Sequence, residues 1–159
     1  MSLQDETKAA KDAALRLLSY CPRSIKEVSD RLNKKGFSAD TIENVIGALK
    51  KAGYLDDLKF ARDRIDSKLR KNPVSKDIIK TQLALRGIDE SVIDEALSGF
   101  EEDFDEYKIA RDILEKRLKS LKDLELDKAL KKLYPYLRKQ GFSEEVIEKV
   151  LREKFEIEL

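Results

Sequence analysis

Apolar residues recur along this chain at helical spacing, and they do so around a motif that returns three times. Gly36-Phe37-Ser38-Ala39-Asp40-Thr41-Ile42, Gly87-Ile88-Asp89-Glu90-Ser91-Val92-Ile93 and Gly141-Phe142-Ser143-Glu144-Glu145-Val146-Ile147 share one pattern, with spacings of 51 and 54 residues. The order is Gly, apolar, Ser or Asp, three residues, Ile. Backward from each Gly, apolar residues stand at minus 4 and minus 8: Leu32 and Val28, Leu83 and Ile79, Leu137 and Leu133. Forward from each Ser or Asp they stand at plus 4, 7 and 8: Ile42, Val45, Ile46; Ile93, Ala96, Leu97; and Ile147, Val150, Leu151. Residues three and four apart share a helix face, so the pattern predicts two amphipathic helices meeting at a short turn.

The turn chemistry agrees. Gly tolerates the left-handed conformation that closes a helix. The Ser or Asp two positions later caps the next helix by accepting from its free N–H groups. The apolar residue between them packs back onto the new helix. Asp40, Glu90, Glu144 and Glu145 occupy first turns, where the helix dipole favours negative charge. A further helix opens each unit around Ala14-Leu15-Arg16-Leu17-Leu18, Ala61-Arg62-Asp63-Arg64-Ile65 and Ala110-Arg111-Asp112-Ile113-Leu114. Cys21-Pro22-Arg23-Ser24 and Lys71-Asn72-Pro73-Val74-Ser75 end two of these helices, and Ser24-x-x-Glu27 is a capping box. In the third unit the break is weaker, somewhere in Ser120 to Leu126, and the first helix is expected to be longer. Pro135 falls near the middle of that unit's second helix and kinks it, unless the helix starts nearer Tyr134. The expected fold is all-α: three tandem three-helix, helix–turn–helix-like repeats at about 5–55, 56–102 and 104–156, forming an elongated, curved array.

Composition narrows the chemistry. Of 159 residues, 41% are charged and 41% apolar, too apolar for a disordered tail. There is no His, which excludes His-based nucleophilic catalysis and every His-containing metal site. Cys21 is the single cysteine, so there is no internal disulfide, and it reads as a small half-buried residue at a helix end. The six glycines are isolated, so no glycine-rich phosphate loop exists. The run Glu101-Glu102-Asp103-Phe104-Asp105-Glu106 lacks calcium-loop spacing and reads as a solvated joint. No cofactor, no metal and no enzymatic activity are expected. No apolar run reaches membrane-spanning length, and the polar stretch from Met1 to Ala10 is not a signal peptide, so a cytoplasmic protein is expected. Met1-Ser2-Leu3 is set aside from the helix assignment.

Net charge is only +1, yet its distribution is uneven. Residues 11–55, 59–100 and 107–155 carry net +4, +2 and +5, while residues 101–106 carry −5. Helical bodies are basic and joints and tails are acidic. Arg23, Lys26, Arg31, Lys34 and Lys35 form one basic cluster; Arg62, Arg64, Lys68, Arg70 and Lys71 a second; Arg111, Lys116, Arg117, Lys119 and Lys122 a third. Individually these are solvated helix faces with i,i+4 partners. Collectively they suggest a stripe facing a polyanion or an acidic protein.

Gly53-Tyr54-Leu55-Asp56-Asp57-Leu58-Lys59-Phe60-Ala61, with Cys21-Pro22-Arg23-Ser24-x-x-Glu27-Val28 and Leu32-x-x-Lys35-Gly36-Phe37, resembles the RecX family of bacterial recombination regulators. Leu83-x-x-Arg86-Gly87-Ile88 fits too, and the resemblance covers roughly residues 10–155. Position 21 is Cys where the family often carries Arg. The resemblance implies a non-catalytic, monomeric negative regulator of RecA. Such a protein lies in the groove of RecA filaments on single-stranded DNA and suppresses filament growth, strand exchange, ATPase and coprotease activity. Contact with the DNA itself is then indirect or weak. The expected contact surface comprises Arg23, Lys26, Arg31, Lys34, Lys35, Arg62, Arg64, Lys68, Arg70, Lys71, Arg111, Lys116 and Arg117. In the stretch from Gly53 to Asp57, Gly53 is expected to end one helix. Tyr54 and Leu55 are expected to pack in the joint between repeats, and Asp56 or Asp57 to cap the next helix. The alternative is a helical module that binds nucleic acid directly, without RecA.

Overall fold

The computed structural model describes residues 2–159; Met1 lies outside the described residues. Among these residues there are nine α-helices and one short 3-10 turn, Glu101–Asp103, and no strand. The helices are α1 (Leu3–Tyr20), α2 (Ile25–Lys34), α3 (Ala39–Lys51), α4 (Asp57–Lys71), α5 (Lys76–Leu85), α6 (Glu90–Ser98), α7 (Glu106–Leu118), α8 (Leu126–Lys139) and α9 (Glu144–Phe155). They are the three successive sets of three that the repeat implies. No described helix is long and apolar enough to cross a membrane.

The recurring motif is a helix turn of Schellman type at all three places. Gly36, Gly87 and Gly141 have φ of 90°, 79° and 87°, the left-handed region that favours glycine. The amides of Phe37, Ile88 and Phe142 return to the carbonyls of Leu32, Leu83 and Leu137 at 3.3, 3.2 and 3.4 Å. Ser38 and Ser143 then cap α3 and α9 by accepting from the amides of Thr41 and Val146. Every apolar position in the backward and forward rows is buried except Ile46, which is half-buried.

The chain forms two compact units, Met1–Arg64 with Leu83–Leu97, and Ile65–Gln82 with Ser98–Leu159. In the first, α1, α2 and α3 pack on one another around Ala10, Ala14, Val28, Leu32, Val45, Leu49 and Leu55. Ala10 and Ala14 are fully buried, and these small side chains bring α1 close to its neighbours. In the second, α7, α8 and α9 enclose Ala110, Leu114, Leu133, Leu137, Phe142, Ile147 and Leu151.

Four expectations about the joints are corrected. α1 starts at Leu3, because Ser2 caps it and completes a capping box with Asp5. Cys21 is exposed rather than half-buried, and it follows the last turn of α1 in extended backbone. α7 has 13 residues, the fewest of the three opening helices rather than the most. Its end is made by consecutive turns in which the amides of Leu121 and Leu124 reach the carbonyls of Leu118 and Leu121, while both leucines pack on the core. α8 starts at Leu126, so Pro135 lies inside it as expected, and the competing start near Tyr134 does not occur. The acidic run is also only partly solvated. Phe104 packs on the core, Asp105 caps α7 by accepting from the Lys108 amide at 3.0 Å, and Glu106 is half-buried.

Candidate contact surface and the repeated helix joint

In the first unit, the start of α2 gathers side chains from α4 and from the end of α5. Ser24 is fully buried. Its Oγ accepts from the Glu27 amide at 3.2 Å and donates to the Arg86 carbonyl at 2.6 Å. The Ile25 amide donates to Asp57 Oδ1 at 2.9 Å, so a carboxylate from the first turn of α4 satisfies a free donor of α2. The Arg86 guanidinium pairs with Glu27, with Nη2 donating to Oε2 at 3.1 Å and Nε facing Oε1. It also lies 5.1 Å from the centroid of the Phe60 ring.

The second unit repeats this arrangement. Ser75 is fully buried and its Oγ accepts from the Ile78 amide at 3.3 Å. The Lys76 amide donates to Glu106 Oε1 at 2.7 Å. Each serine is thus followed by a residue whose amide is bonded by an acid from the first turn of a later helix. The later glycine turn closes over each serine's helix start. A Cβ on Gly87 would fall 2.3 Å from Lys26 Cδ, and one on Gly141 would fall 2.3 Å from Ser75 Oγ.

Burial pushes the Asp57 carboxyl above the usual carboxylate range; the Ile25 amide pulls it back, and the charges of Asp89 and Asp56 add to the rise. Glu106 is raised for the same reason, with the Lys76 amide opposing and Asp77 reinforcing. Glu6 is lowered instead, because it accepts from the Ser38 amide and the Thr41 hydroxyl. A raised acid binds its proton more tightly when folded. Its contribution is fully present below the unfolded pKa and is lost as pH rises through the folded one. Asp57→Asn keeps an acceptor for Ile25 and removes the buried charge. It is therefore expected to be at least as stable as the parent at neutral pH, with the difference vanishing near about pH 4. Urea melts of both proteins across that range check this, and a variant less stable than the parent at neutral pH overturns it.

The stretch from Gly53 to Asp57 divides its labour differently from expectation. Gly53, at φ 81°, closes α3, with its amide on the Lys50 carbonyl at 3.1 Å. Leu55 is buried, but Tyr54 is 60% exposed and does not pack inward, because Leu55 alone fills the apolar position. Asp56 is the cap, accepting from the Lys59 amide at 3.0 Å, while Asp57 reaches α2.

The sequence-predicted basic residues fall in both units. Arg23, Lys26, Arg31, Lys34, Lys35, Arg62 and Arg64 belong to the first; Lys68, Arg70, Lys71, Arg111, Lys116 and Arg117 belong to the second. Several are engaged locally. Lys26 pairs with Asp30 at 2.8 Å and Arg70 pairs with Asp66, both along one helix. Arg111 and Arg117 stand over the rings of Tyr107 and Tyr136 at 5.9 and 4.9 Å. Arg31, Lys34, Lys35, Arg62, Arg64, Lys71 and Lys116 are exposed and have no ion-pair partner among the described residues. In the first unit, Arg31 of α2 and Lys35 at its C-terminal cap share a cleft of about 180 Å³ with Arg16 and Tyr20 of α1. Tyr20 is 80% exposed. Arg16 and Tyr20 were missed in the sequence; their i,i+4 spacing was visible, but only the packing of α1 on α2 sets them beside Arg31 and Lys35.

Three family descriptions match in chain order: the first three-helix domain of RecX over residues 10–56, the second over 56–97 and the third over 105–151. The regulatory protein RecX of Bacillus pumilus is 31% identical over 152 residues, 96% of this chain and 57% of the relative. The chain thus spans little more than half the length of that Bacillus protein. The regulatory protein RecX of Chlorobium phaeobacteroides is 34% identical over 150 residues, 94% of this chain and 96% of the relative. The crystal structure of RecX from Lactobacillus salivarius superposes with a TM-score of 0.80 over 97% of this chain and 99% of that one, at 24% identity. A shared fold, three consecutive matching domains and a relative matched along nearly its whole length agree: the chain belongs to the RecX family.

Proposed function

We propose that this chain is a non-catalytic negative regulator of the RecA recombinase in the bacterial cytoplasm. It binds as a monomer in the groove of RecA filaments on single-stranded DNA and inhibits filament growth, strand exchange, ATPase and coprotease activity. The observation that carries the reading is the set of exposed cations without ion-pair partners on helices of both units, in a chain of this family. Repeats bounded near residues 5–55, 56–102 and 104–156 supply several modest contacts, and linked contacts multiply affinity. Unpaired cations meet acidic protein surface or nearby phosphates without first breaking an intramolecular pair.

The test is RecA's single-stranded-DNA-dependent ATPase, with this protein titrated in at two salt concentrations. Inhibition at low ratios to RecA is expected. Charge reversal at Arg62, Arg64 and Lys71 together is expected to weaken inhibition at least about tenfold while leaving helicity intact. Unchanged inhibition removes those residues from the contact surface.

The cleft with Tyr20, Arg16, Arg31 and Lys35 favours a second reading, direct binding of single-stranded nucleic acid. An exposed ring can stack on a base while cations meet phosphates. That reading expects binding to labelled oligonucleotide without RecA, falling steeply with salt.

A further inference from the structure

Arg23 stands in the turn between α1 and α2. Its Nε–H is closed off from solvent and has no hydrogen-bond partner among the described residues. Desolvating a donor without giving it an acceptor costs stability, so nearly all buried donors are paired. Arg23 itself lines a cleft of about 300 Å³ whose walls include Leu18, Pro22, Tyr54 and Phe60. Tyr54 is the residue that the Gly53 turn leaves outside, 60% exposed.

The other charged groups of the cleft are already engaged. Lys59 pairs with Asp63 at 3.0 Å, and Asp56 accepts from the Lys59 amide. Arg23 is therefore the charge in this cleft that nothing among the described residues answers. We infer that the cleft is a docking site for a single carboxylate of a protein segment, an Asp or Glu side chain with an apolar residue beside it.

The carboxylate takes the end-on fork formed by the two Nη groups of Arg23, a planar match of guanidinium to carboxylate, and the enclosed Nε–H reports the contact. The apolar neighbour lies against the Tyr54 ring and the floor of Leu18 and Phe60. Exposed tyrosine beside an arginine is the composition of protein–protein hot spots. A nucleic-acid strand fits less well. It brings one negative charge per nucleotide past the carboxylates of Asp56 and Asp63, which line the same walls. The inference deepens the protein-binding reading above by naming what the partner presents at this cleft.

The experiment uses the full chain and no RecA, so it is decided separately from ATPase inhibition. The arginine Nε–H signals of ¹⁵N-labelled protein are recorded by NMR, and that of Arg23 is identified by its loss in Arg23→Lys. Acetyl-Phe-Glu-amide, acetyl-Phe-Gln-amide and an oligothymidylate are titrated in turn. The Glu peptide is expected to shift the Arg23 Nε–H and the Tyr54 ring signals saturably. The Gln peptide is expected to bind at least about tenfold more weakly. Tyr54→Ala, whose ring is not part of the core, is expected to weaken the Glu peptide while the amide spectrum stays folded. Equal binding of both peptides, no shift at Arg23, or tighter binding of the oligothymidylate overturns the inference. A protein that binds the Glu peptide but leaves RecA's ATPase untouched keeps this site and loses the RecA reading.

Discussion

Replacing Gly141 with alanine is expected to destabilise the second unit by about 3 kcal/mol or more, whereas the same change at Gly36 costs about 1 kcal/mol. Both residues sit in the left-handed region, at φ 87° and 90°. The backbone strain of adding a Cβ is therefore the same at the two sites, and so is the loss of unfolded-chain entropy that partly offsets it. What differs is the surroundings. Nothing lies within 4 Å of a Cβ built on Gly36, while one on Gly141 meets Ser75 Oγ at 2.3 Å and Ile78 Cγ1 at 2.8 Å. Ser75 is fully buried and caps α5, so it cannot withdraw without freeing the Ile78 amide. Gly87 is intermediate, because its obstacle is the flexible Lys26 side chain. Urea melts followed by circular dichroism would rank the three. Equal losses at Gly36 and Gly141 would mean that the joint around Ser75 relaxes freely and does not fix the helices it connects.

That contrast shows what the sequence could and could not reveal. The three glycine motifs look alike because the local problem, ending one helix and starting the next, is the same each time, and backbone sterics solve it within seven residues. The burial of Leu32, Leu83 and Leu137 is local too, since helical spacing alone selects a face. The joints are a long-range matter. Asp57 looked like one of two candidate caps; only the folded chain shows that Asp56 caps α4 while Asp57 bonds an amide 32 residues earlier. Glu106 looked like the end of a solvated acidic run for the same reason, and its partner Lys76 lies 30 residues away.

Exposure was harder to read than burial. Tyr54 and Cys21 sit beside apolar positions in the sequence, and their types suit packing, yet both are exposed while Leu55 is buried beside Tyr54. The length of α7 was misread because its terminating turn uses leucines. Leu121 and Leu124 supply core contacts while the chain turns, so no Gly or Pro marks the end. The basic residues were visible as clusters, but which of them lack partners depends on rotamers and on helix packing. Arg31 and Lys35 emerge as a pair beside Tyr20 only when α2 lies on α1. The candidate surface was therefore legible as composition and illegible as geometry.

Arg86 makes the second large prediction. It stands in the Leu83-x-x-Arg86-Gly87-Ile88 stretch and sequence reasoning gave it no role, yet it ties three helices of the first unit together. Its side chain is 31% exposed and that of Glu27 is 24% exposed, so the pair is mostly withdrawn from water. Removing one partner of such a pair leaves the other charge desolvated and unanswered. Arg86→Ala is expected to cost about 2–3 kcal/mol, below the value for a fully buried pair because water still reaches both groups. It also removes the contact with the Phe60 ring, 5.1 Å away, and the packing of the side-chain stem. Arg86→Met restores most of the stem, so it separates packing from charge. Glu27→Gln keeps an acceptor for the Ser24 amide, now at 3.0 Å, and removes only the charge. The double variant with Arg86→Met and Glu27→Gln is expected to be more stable than the sum of the two single losses predicts, by about 1 kcal/mol or more, because no lone charge remains buried. Urea melts of the four proteins close the cycle. Strict additivity would reduce the pair to two independent contacts, and the bonds from Ser24 Oγ to the Arg86 carbonyl and from the Ile25 amide to Asp57 would then carry the joint without it.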